Sequence, residues 1–201
     1  IAERQNCLKQ AADLIFQKKD ELKELLISEH GGMLWEAETD FYLGSGVMSM
    51  YAQAPDDLLI PKEISEETGW IRIHKRPKGV ISAIVPWNMP IVLTMMKLGP
   101  LLLAGNTVVL KPSPFSALAL TQLLAKIAAV FPKGVINVVH GDADVGNILT
   151  SHPLVRKVAF TGGTATGAAV MASAAQTIKD VTLELGGNDA AIILEDIDFQ
   201  S

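Results

Sequence analysis

The sequence predicts an α/β fold: an open parallel sheet with helices on both faces, preceded by N-terminal helices. Two observations lead to this prediction. From residue 79 onward, short apolar runs rich in β-branched residues alternate with segments able to form helices, as is typical of a parallel sheet covered on both faces. Charge is also uneven, since residues 1–78 carry 24 Asp, Glu, Lys and Arg and residues 79–201 carry 15. The first part is therefore expected to form solvated helices and the second a buried core.

The N-terminal part predicts two helices and a strand. Apolar residues recur at helical spacing from residue 8 to residue 26, and the Gly-Gly pair at 31–32 ends this amphipathic helix. A second helix begins near Met33 and runs toward Pro55. Residues 71–76 alternate apolar and polar side chains, which predicts a half-exposed strand.

The second part predicts six strands, at residues 80–85, 107–110, 135–139, 158–161, 181–185 and 190–194. Helices are expected between most of them, for example at 92–104, 117–131 and 164–175. We therefore divide the chain into residues 1–78 and an α/β domain at 79–201. Ligands of such sheets bind beyond the carboxyl ends of the strands, so chemistry is expected in the segments that follow each strand.

Composition excludes several functions. With 49% hydrophobic residues and a mean hydropathy of +0.29, the chain is not disordered. Its net charge of −5, without a basic stripe, argues against a nucleic-acid partner. One cysteine, Cys7, and four dispersed histidines offer no disulfide and no metal site. No apolar run reaches the roughly 18 residues of a membrane span. A cytoplasmic protein without a membrane partner is expected.

Asn88 lies in a Pro-Trp-Asn-Met-Pro turn after the first strand of the domain. The two prolines restrict the backbone, so the Asn88 amide is held in place and could donate to an oxyanion. The alternative is an ordinary turn in which Asn88 bonds its own backbone.

Lys111 ends the next strand and Ser113 follows it. The Lys111 amine could reach a ribose or a phosphate, or simply extend into water. Ser113 could contact the same ligand or cap the following helix.

A glycine-rich junction, Phe-Thr-Gly-Gly-Thr-Ala-Thr-Gly, spans residues 160–167 between a strand and a helix. Its backbone could approach an anion at the helix N-terminus. It matches neither the GxGxxG pattern nor the P-loop. The alternative is a small-residue helix that packs closely on its sheet.

Glu184 is a carboxylate within an apolar strand. Such a group is expected to be buried with a raised pKa, which suits a general base. The alternative is a structural ion pair with a nearby basic residue.

Together, in this order and spacing, five motifs resemble the aldehyde dehydrogenase superfamily. They are PWNMP at 86–90, GNTVVLKPS at 105–113, GVINVV at 134–139, FTGGTATG at 160–167 and LELGG at 183–187. The resemblance covers essentially the whole chain and implies a Rossmann-like, aldehyde dehydrogenase-like fold. It also implies that an oligomerisation hairpin begins near residue 71, and that the whole protein forms a homo-oligomer, a dimer or a tetramer.

The resemblance implies that residues 79–201 bind NAD or NADP. The implied cofactor-binding residues are Ile84, Val85, Pro86, Trp87, Lys111, Ser113, Gly146, Phe160, Thr161, Gly162, Gly163, Gly167, Leu185 and Gly186. Many NAD-preferring members carry Glu where Pro114 stands. Since Pro114 neither binds a ribose hydroxyl nor repels a 2′-phosphate, we expect NADP to be tolerated beside NAD.

The resemblance further implies two catalytic residues. Asn88 donates to the oxyanion formed when a thiolate attacks an aldehyde, and Glu184 activates the water that releases a carboxylic acid. Cys7 lies in the first helix and is expected to be a small buried residue, so the nucleophile is expected beyond Ser201. The 201-residue chain is then a fragment that does not oxidise aldehydes alone. The alternative function is a non-catalytic dinucleotide-binding module or relic.

Overall fold

Two long helices, α1 (Ala2–His30) and α2 (Leu34–Ala52), open the computed structural model, which describes residues 1–198. Gly31 separates them with a φ of +73°, and its N–H donates to the Ile27 carbonyl over 2.8 Å. The Glu36 carboxylate accepts the Met33 N–H over 2.8 Å at the start of α2. Both predicted helices are confirmed, although α2 ends at Ala52 rather than near Pro55.

A hairpin follows, made of β1 (Lys62–Glu66) and β2 (Gly69–Ile73), which pair antiparallel. Every residue of both strands is exposed. The strand predicted over residues 71–76 therefore begins earlier, ends at Ile73 and buries neither face. The reason is that a two-stranded ribbon has no second layer beneath it to cover a face.

The central sheet contains five parallel strands in the order β5-β4-β3-β6-β7. They are β3 (Val80–Ile84), β4 (Thr107–Lys111), β5 (Ile136–Val138), β6 (Val155–Gly162) and β7 (Asp180–Leu185). The connecting helices are α3 (Pro90–Leu103), α4 (Leu118–Ala128), α5 (Ala143–Ser151) and α6 (Thr164–Ala175). Counted along the chain within this sheet, the order is that of the Rossmann fold, so the predicted fold class is confirmed.

The two faces of the sheet carry separate hydrophobic cores. Ile81 and Ala83 of β3 belong to a large core that also contains residues of α1, α2, α3 and α4. Val80 and Ile84 pack on the other face, in a smaller core with α6. Helices therefore lie on both faces, as predicted, because successive residues of a buried strand alternate between two apolar layers.

The predicted strand at residues 190–194 is wrong. The chain from 186 to 194 is irregular and exposed, although it contains Ile192, Ile193 and Leu194. Strand β7 is the last paired strand among residues 1–198. An apolar run becomes a strand only where a neighbour completes its backbone hydrogen bonds, and none of the described residues does so here.

Candidate functional site

The candidate site lies where the strand order of the sheet reverses. The chain builds β3, β4 and β5 outward in one direction, and then crosses over to place β6 and β7 on the other side of β3. In such sheets the carboxyl ends of the two central strands diverge into a crevice that holds ligands. Here those ends are Ile84 of β3 and Gly162 of β6. The PWNMP motif begins two residues after Ile84, and Gly162 lies within the FTGGTATG motif.

A cavity of about 580 Å³ opens on the α5 and α6 face of the sheet, and we call it the α5–α6 cavity. Four of the predicted cofactor residues line it: Ile84, Lys111, Gly146 and Phe160. The rest of its wall comes from Pro114, Asp142, Ala143, Asn147, Thr150, Ala165, Thr166, Ala169 and Val170. This volume lies in the usual range for small-molecule sites, and most of the wall is apolar, as such sites require.

Lys111 is the cation in this wall. It is only 6% exposed, and its amine donates to the Pro112 carbonyl over 3.3 Å. Burial lowers the pKa of Lys111, and the negative charges of Asp142 and Asp144 oppose that shift. The side chain therefore does not extend into water, and it forms part of the cavity wall.

Ser113 has a local role in this structure. Its hydroxyl accepts the Phe115 N–H over 3.3 Å and caps the short 3-10 turn Pro114–Ser116. Ser113 therefore takes the capping role, one of the two roles expected from its position in the sequence. Ser113 does not line the α5–α6 cavity, and its contact with a cofactor stays a prediction.

The glycine-rich junction lies between β6 and the N-terminus of α6. A Cβ on Gly162 would lie 2.7 Å from the Phe160 ring, and one on Gly167 would lie 2.4 Å from the Leu185 side chain. These two glycines allow close packing, which was the structural alternative. Gly163 differs, because open space surrounds the position where its Cβ would be. The unpaired N–H groups of the first turn of α6 begin at this residue and can receive an anion.

Asn88 lies in the exposed turn between β3 and α3. Among the described residues its amide has no hydrogen-bond partner, so it does not bond its own backbone. Val85 packs in the large core, and its N–H donates to the Lys111 carbonyl over 3.2 Å. The side chain and the N–H of Val85 are therefore both occupied within the protein, whereas Pro86 is partly exposed and Trp87 is exposed.

Asp40 of α2 holds the helix that follows this turn. Its carboxylate accepts the Ile91 N–H over 2.9 Å and the Val92 N–H over 2.7 Å. Asp40 is only 2% exposed, and burial raises its pKa to about 6 although the two backbone bonds oppose the shift. None of the sequence motifs pointed to Asp40. Its position, three residues after buried Ala37 and beside buried Phe41, is the signal that could have revealed it.

Glu184 faces a smaller cavity of about 170 Å³ between α3 and the strands β6 and β7, which we call the α3 cavity. Its side chain is exposed, so the expectation of a carboxylate buried in the sheet is wrong. The reason is that β7 is an edge strand and that the α3 cavity separates Glu184 from helix α3. The ion-pair alternative also fails, since no cation within residues 1–198 lies within 4.0 Å of its oxygens.

Lys97 of α3 lines the same cavity and was missed as a candidate. It is 8% exposed, and its amine donates to the Thr161 hydroxyl over 2.6 Å. Burial lowers the pKa of Lys97 to about 8, with Lys157 adding to the shift and Glu184 opposing it. The available signal was that Lys97 is the only charge in residues 80–110.

Cys7 lies elsewhere. Its thiol donates to the Val130 carbonyl over 3.4 Å, in a cavity that also contains Asn106 and Thr107 at the start of β4. That is the amino edge of the sheet, opposite the candidate site.

Within residues 1–198 no group of three or more His, Cys, Asp or Glu is arranged to hold a metal ion. In the same part of the chain, no helix combines the length and apolarity needed to cross a membrane.

The sheet order and the crevice place the chain in the class of doubly wound α/β proteins, which carry their ligands at this edge. The chain belongs to the aldehyde dehydrogenase family, whose model matches residues 1–201. This confirms the family resemblance of the five motifs.

Individual relatives agree with this assignment. The chain is 41% identical over 202 residues to betaine aldehyde dehydrogenase of Vibrio vulnificus strain YJ016, covering 98% of this chain and 41% of that protein. It is 41% identical over 204 residues to the succinate-semialdehyde dehydrogenase [NADP(+)] of Escherichia coli K12, covering 98% and 42%. A crystal structure of Staphylococcus aureus betaine aldehyde dehydrogenase with NAD+ superposes with a TM-score of 0.90 at 33% identity, covering 100% and 41%. The chain thus spans about two fifths of the length of these relatives.

Proposed function

We propose that this chain is the cofactor-binding portion of an NAD(P)-dependent aldehyde dehydrogenase that oxidises an aldehyde to a carboxylic acid. Residues 79–201 form the dinucleotide-binding domain, and residues 1–78 add the packing helices and the start of an oligomerisation hairpin. The observation that carries the proposal is the α5–α6 cavity at the switch point of the sheet, lined by Ile84, Lys111, Gly146 and Phe160.

The residues present fit a dinucleotide. The α5–α6 cavity offers apolar walls for an adenine ring, with the buried Lys111 amine beside it for the ribose. Gly162 and Gly163, next to the first turn of α6, offer backbone donors to the pyrophosphate. The remaining predicted residues, Val85, Pro86, Trp87, Ser113, Thr161, Gly167, Leu185 and Gly186, are assigned to the same cofactor. When bound, NAD(P) supplies the two-electron acceptor for the aldehyde.

Two residues are assigned to the aldehyde chemistry. The Asn88 amide makes no hydrogen bond within residues 1–198, so it can donate to an oxyanion. Glu184 lines the α3 cavity within the electrostatic reach of Lys97 and can take a proton from water. Cys7 is on the opposite edge of the sheet, so the nucleophile in this proposal is a cysteine outside the 201 residues. The chain alone is then expected to bind the cofactor and to produce no NAD(P)H from aldehydes.

The cofactor proposal is NAD with NADP tolerated. Pro114 in the cavity wall supports tolerance because it carries no charge to repel a 2′-phosphate, and Lys111 nearby supplies a positive charge. The E. coli relative is a succinate-semialdehyde dehydrogenase [NADP(+)], which is in keeping with this proposal. The proposed location is cytoplasmic, based on composition and the single cysteine.

The test is calorimetric titration of the chain with NAD. Gly146 lines the α5–α6 cavity with open space where its Cβ would be, so Gly146→Leu should fill the cavity without straining the helix. Gly46 of α2 also has open space around it and lies far from the cavity, which makes Gly46→Leu the matched control. We expect NAD binding to be lost in Gly146→Leu and kept in Gly46→Leu. Equal affinities in the two variants would contradict the proposed site.

A further inference from the structure

The wall of the α5–α6 cavity contains one cationic and one anionic side chain, Lys111 of β4 and Asp142 at the start of α5. Pro114, which follows β4 in the same wall, has no side-chain acceptor for a ribose hydroxyl. In doubly wound dinucleotide folds, an acid that accepts the ribose 2′-OH favours NAD, whereas a cation accommodates a 2′-phosphate. The cavity wall therefore contains an acid of the kind that favours NAD and a cation of the kind that accommodates NADP, on two different elements.

Within residues 1–198, the Asp142 carboxylate makes no contact that stabilises the fold. It is the N-cap residue of α5, a position where Asp usually accepts a backbone N–H of the first turn, yet it makes no such bond. Its side chain is exposed and has no hydrogen bond or ion pair with any residue in the described range 1–198. The carboxylate can therefore interact with a ligand bound in the cavity.

Asp142 and Lys111 interact electrostatically in the wall of the cavity. Burial lowers the pKa of Lys111, and Asp142 is the first of the two acids that oppose this shift, followed by Asp144. The negative charge of Asp142 thus reaches the amine that would otherwise attract a phosphate. Asp144, in the first turn of α5, is exposed and does not line the cavity.

We propose that Asp142 determines the preference of the cavity for NAD over NADP. Its carboxylate accepts a hydrogen bond from the 2′-hydroxyl of NAD, in the role that Pro114 cannot fill, and it repels the 2′-phosphate of NADP. Lys111 keeps NADP binding possible, so the wild-type chain binds both cofactors and prefers NAD. This inference rests on the proposed function, because it assumes that the cavity binds the adenosine end of the cofactor.

The experiment measures the dissociation constants of NAD and NADP for the wild-type chain, Asp142→Asn, Asp142→Ser and Asp144→Asn by calorimetry. Asp142→Asn removes the charge from the cavity wall, and Asp142→Ser tests the same change with a residue suited to an N-cap. Asp144→Asn removes the same charge two residues away, outside the wall. For both Asp142 variants we expect the ratio of NADP affinity to NAD affinity to rise about tenfold or more, as loss of a like-charge contact predicts. For Asp144→Asn we expect less than about a threefold change, as solvent screening of an exposed charge predicts.

The outcomes separate this inference from the proposed function. If the wild-type chain binds neither cofactor, the proposed function fails and the inference fails with it. If the wild-type chain binds NAD but the affinity ratio is unchanged in both Asp142 variants, the assignment of Asp142 alone is overturned. An equal rise in Asp142→Asn and Asp144→Asn also overturns it, because the effect would then come from net charge rather than from the cavity wall.

Discussion

Lys97 and Glu184 differ in what sequence could reveal about them. Glu184 stood out as a carboxylate in an apolar strand, but its burial depended on which elements cover β7. The local sequence pattern carries no information about that cover. Lys97 of α3 stood out as the only charge in residues 80–110, and its role became visible only through its bond to Thr161 of β6. At the scale of residues, the sequence shows which side chains can carry chemistry. The burial and the partners of those side chains depend on contacts between residues that are far apart in the chain.

The buried amine of Lys97 predicts a pH effect on stability. Its pKa is about 8 in the folded chain and 10.5 in the unfolded chain, so between these values the unfolded chain binds more protons. The free energy of unfolding should therefore rise with pH from 8 to 10.5 because of this group. Urea denaturation of the wild type and Lys97→Met at several pH values measures the difference. We expect a steeper rise in the wild type.

The matched control for that experiment is Lys133→Met, at an exposed lysine. Its pH dependence should follow that of the wild type. If Lys97→Met keeps the full wild-type slope, the lowered pKa of Lys97 is contradicted.

Helix α3 is anchored by a neighbouring element rather than by its own cap. Its N-cap residue, Met89, makes no side-chain capping bond, and Asp40 of α2 accepts two N–H groups of its first turn instead. The Asn88 turn immediately precedes this anchored end. The anchor therefore links the packing of α2 to the position of a candidate catalytic amide.

Asp40→Asn should loosen this anchor. The amide group would place a donor against one of the two backbone N–H groups, which should cost about 1–3 kcal/mol of unfolding free energy. Urea denaturation measures the loss, and hydrogen exchange should show faster exchange at the Ile91 and Val92 amides. Asp13→Asn, at an exposed acid of α1, is the control and should change neither quantity. Unchanged exchange at both amides in Asp40→Asn would show that the anchor is not needed.

Most elements followed from local patterns, and the exceptions have physical reasons. Helix α6 begins and ends at the predicted residues 164 and 175, because its glycine-rich start and small residues mark it clearly. A helix was expected between the strands at 135–139 and 158–161, but the bounds of α5 were not predicted. Its nine residues include Asp144, Gly146 and Asn147, which form helices poorly. The apolar run at 190–194 resembled a strand because periodicity cannot show whether a pairing partner is present.

At the scale of the whole molecule, the β1–β2 hairpin exposes both of its faces within residues 1–198. One face carries Ile64, Ile71 and Ile73, all exposed. The other face carries the Glu63–Arg72 ion pair, with Arg72 over the Trp70 ring. The resemblance implies that the whole protein is a homo-oligomer, and an exposed apolar ribbon favours association. We therefore predict that the isoleucine face contacts a second copy.

Ile71→Lys should therefore weaken self-association of the chain, because it places a charge in the isoleucine face. Ser65→Lys adds the same charge on the opposite face of the hairpin and serves as the control. Light scattering after size-exclusion chromatography should show a shift toward monomer for Ile71→Lys alone. Identical masses for both variants and the wild type at all concentrations would contradict a role for this face.

The central claim is that a dinucleotide binds at the switch point of the sheet, and hydrogen–deuterium exchange of the chain with and without NAD tests it most directly. We predict protection in the segments that contain Ile84, Lys111, Gly146 and Phe160, which line the α5–α6 cavity from four separate elements. The cavity around Cys7 at the opposite edge should be unaffected. No protection at the crevice under saturating NAD, or protection at the Cys7 edge instead, would contradict the claim.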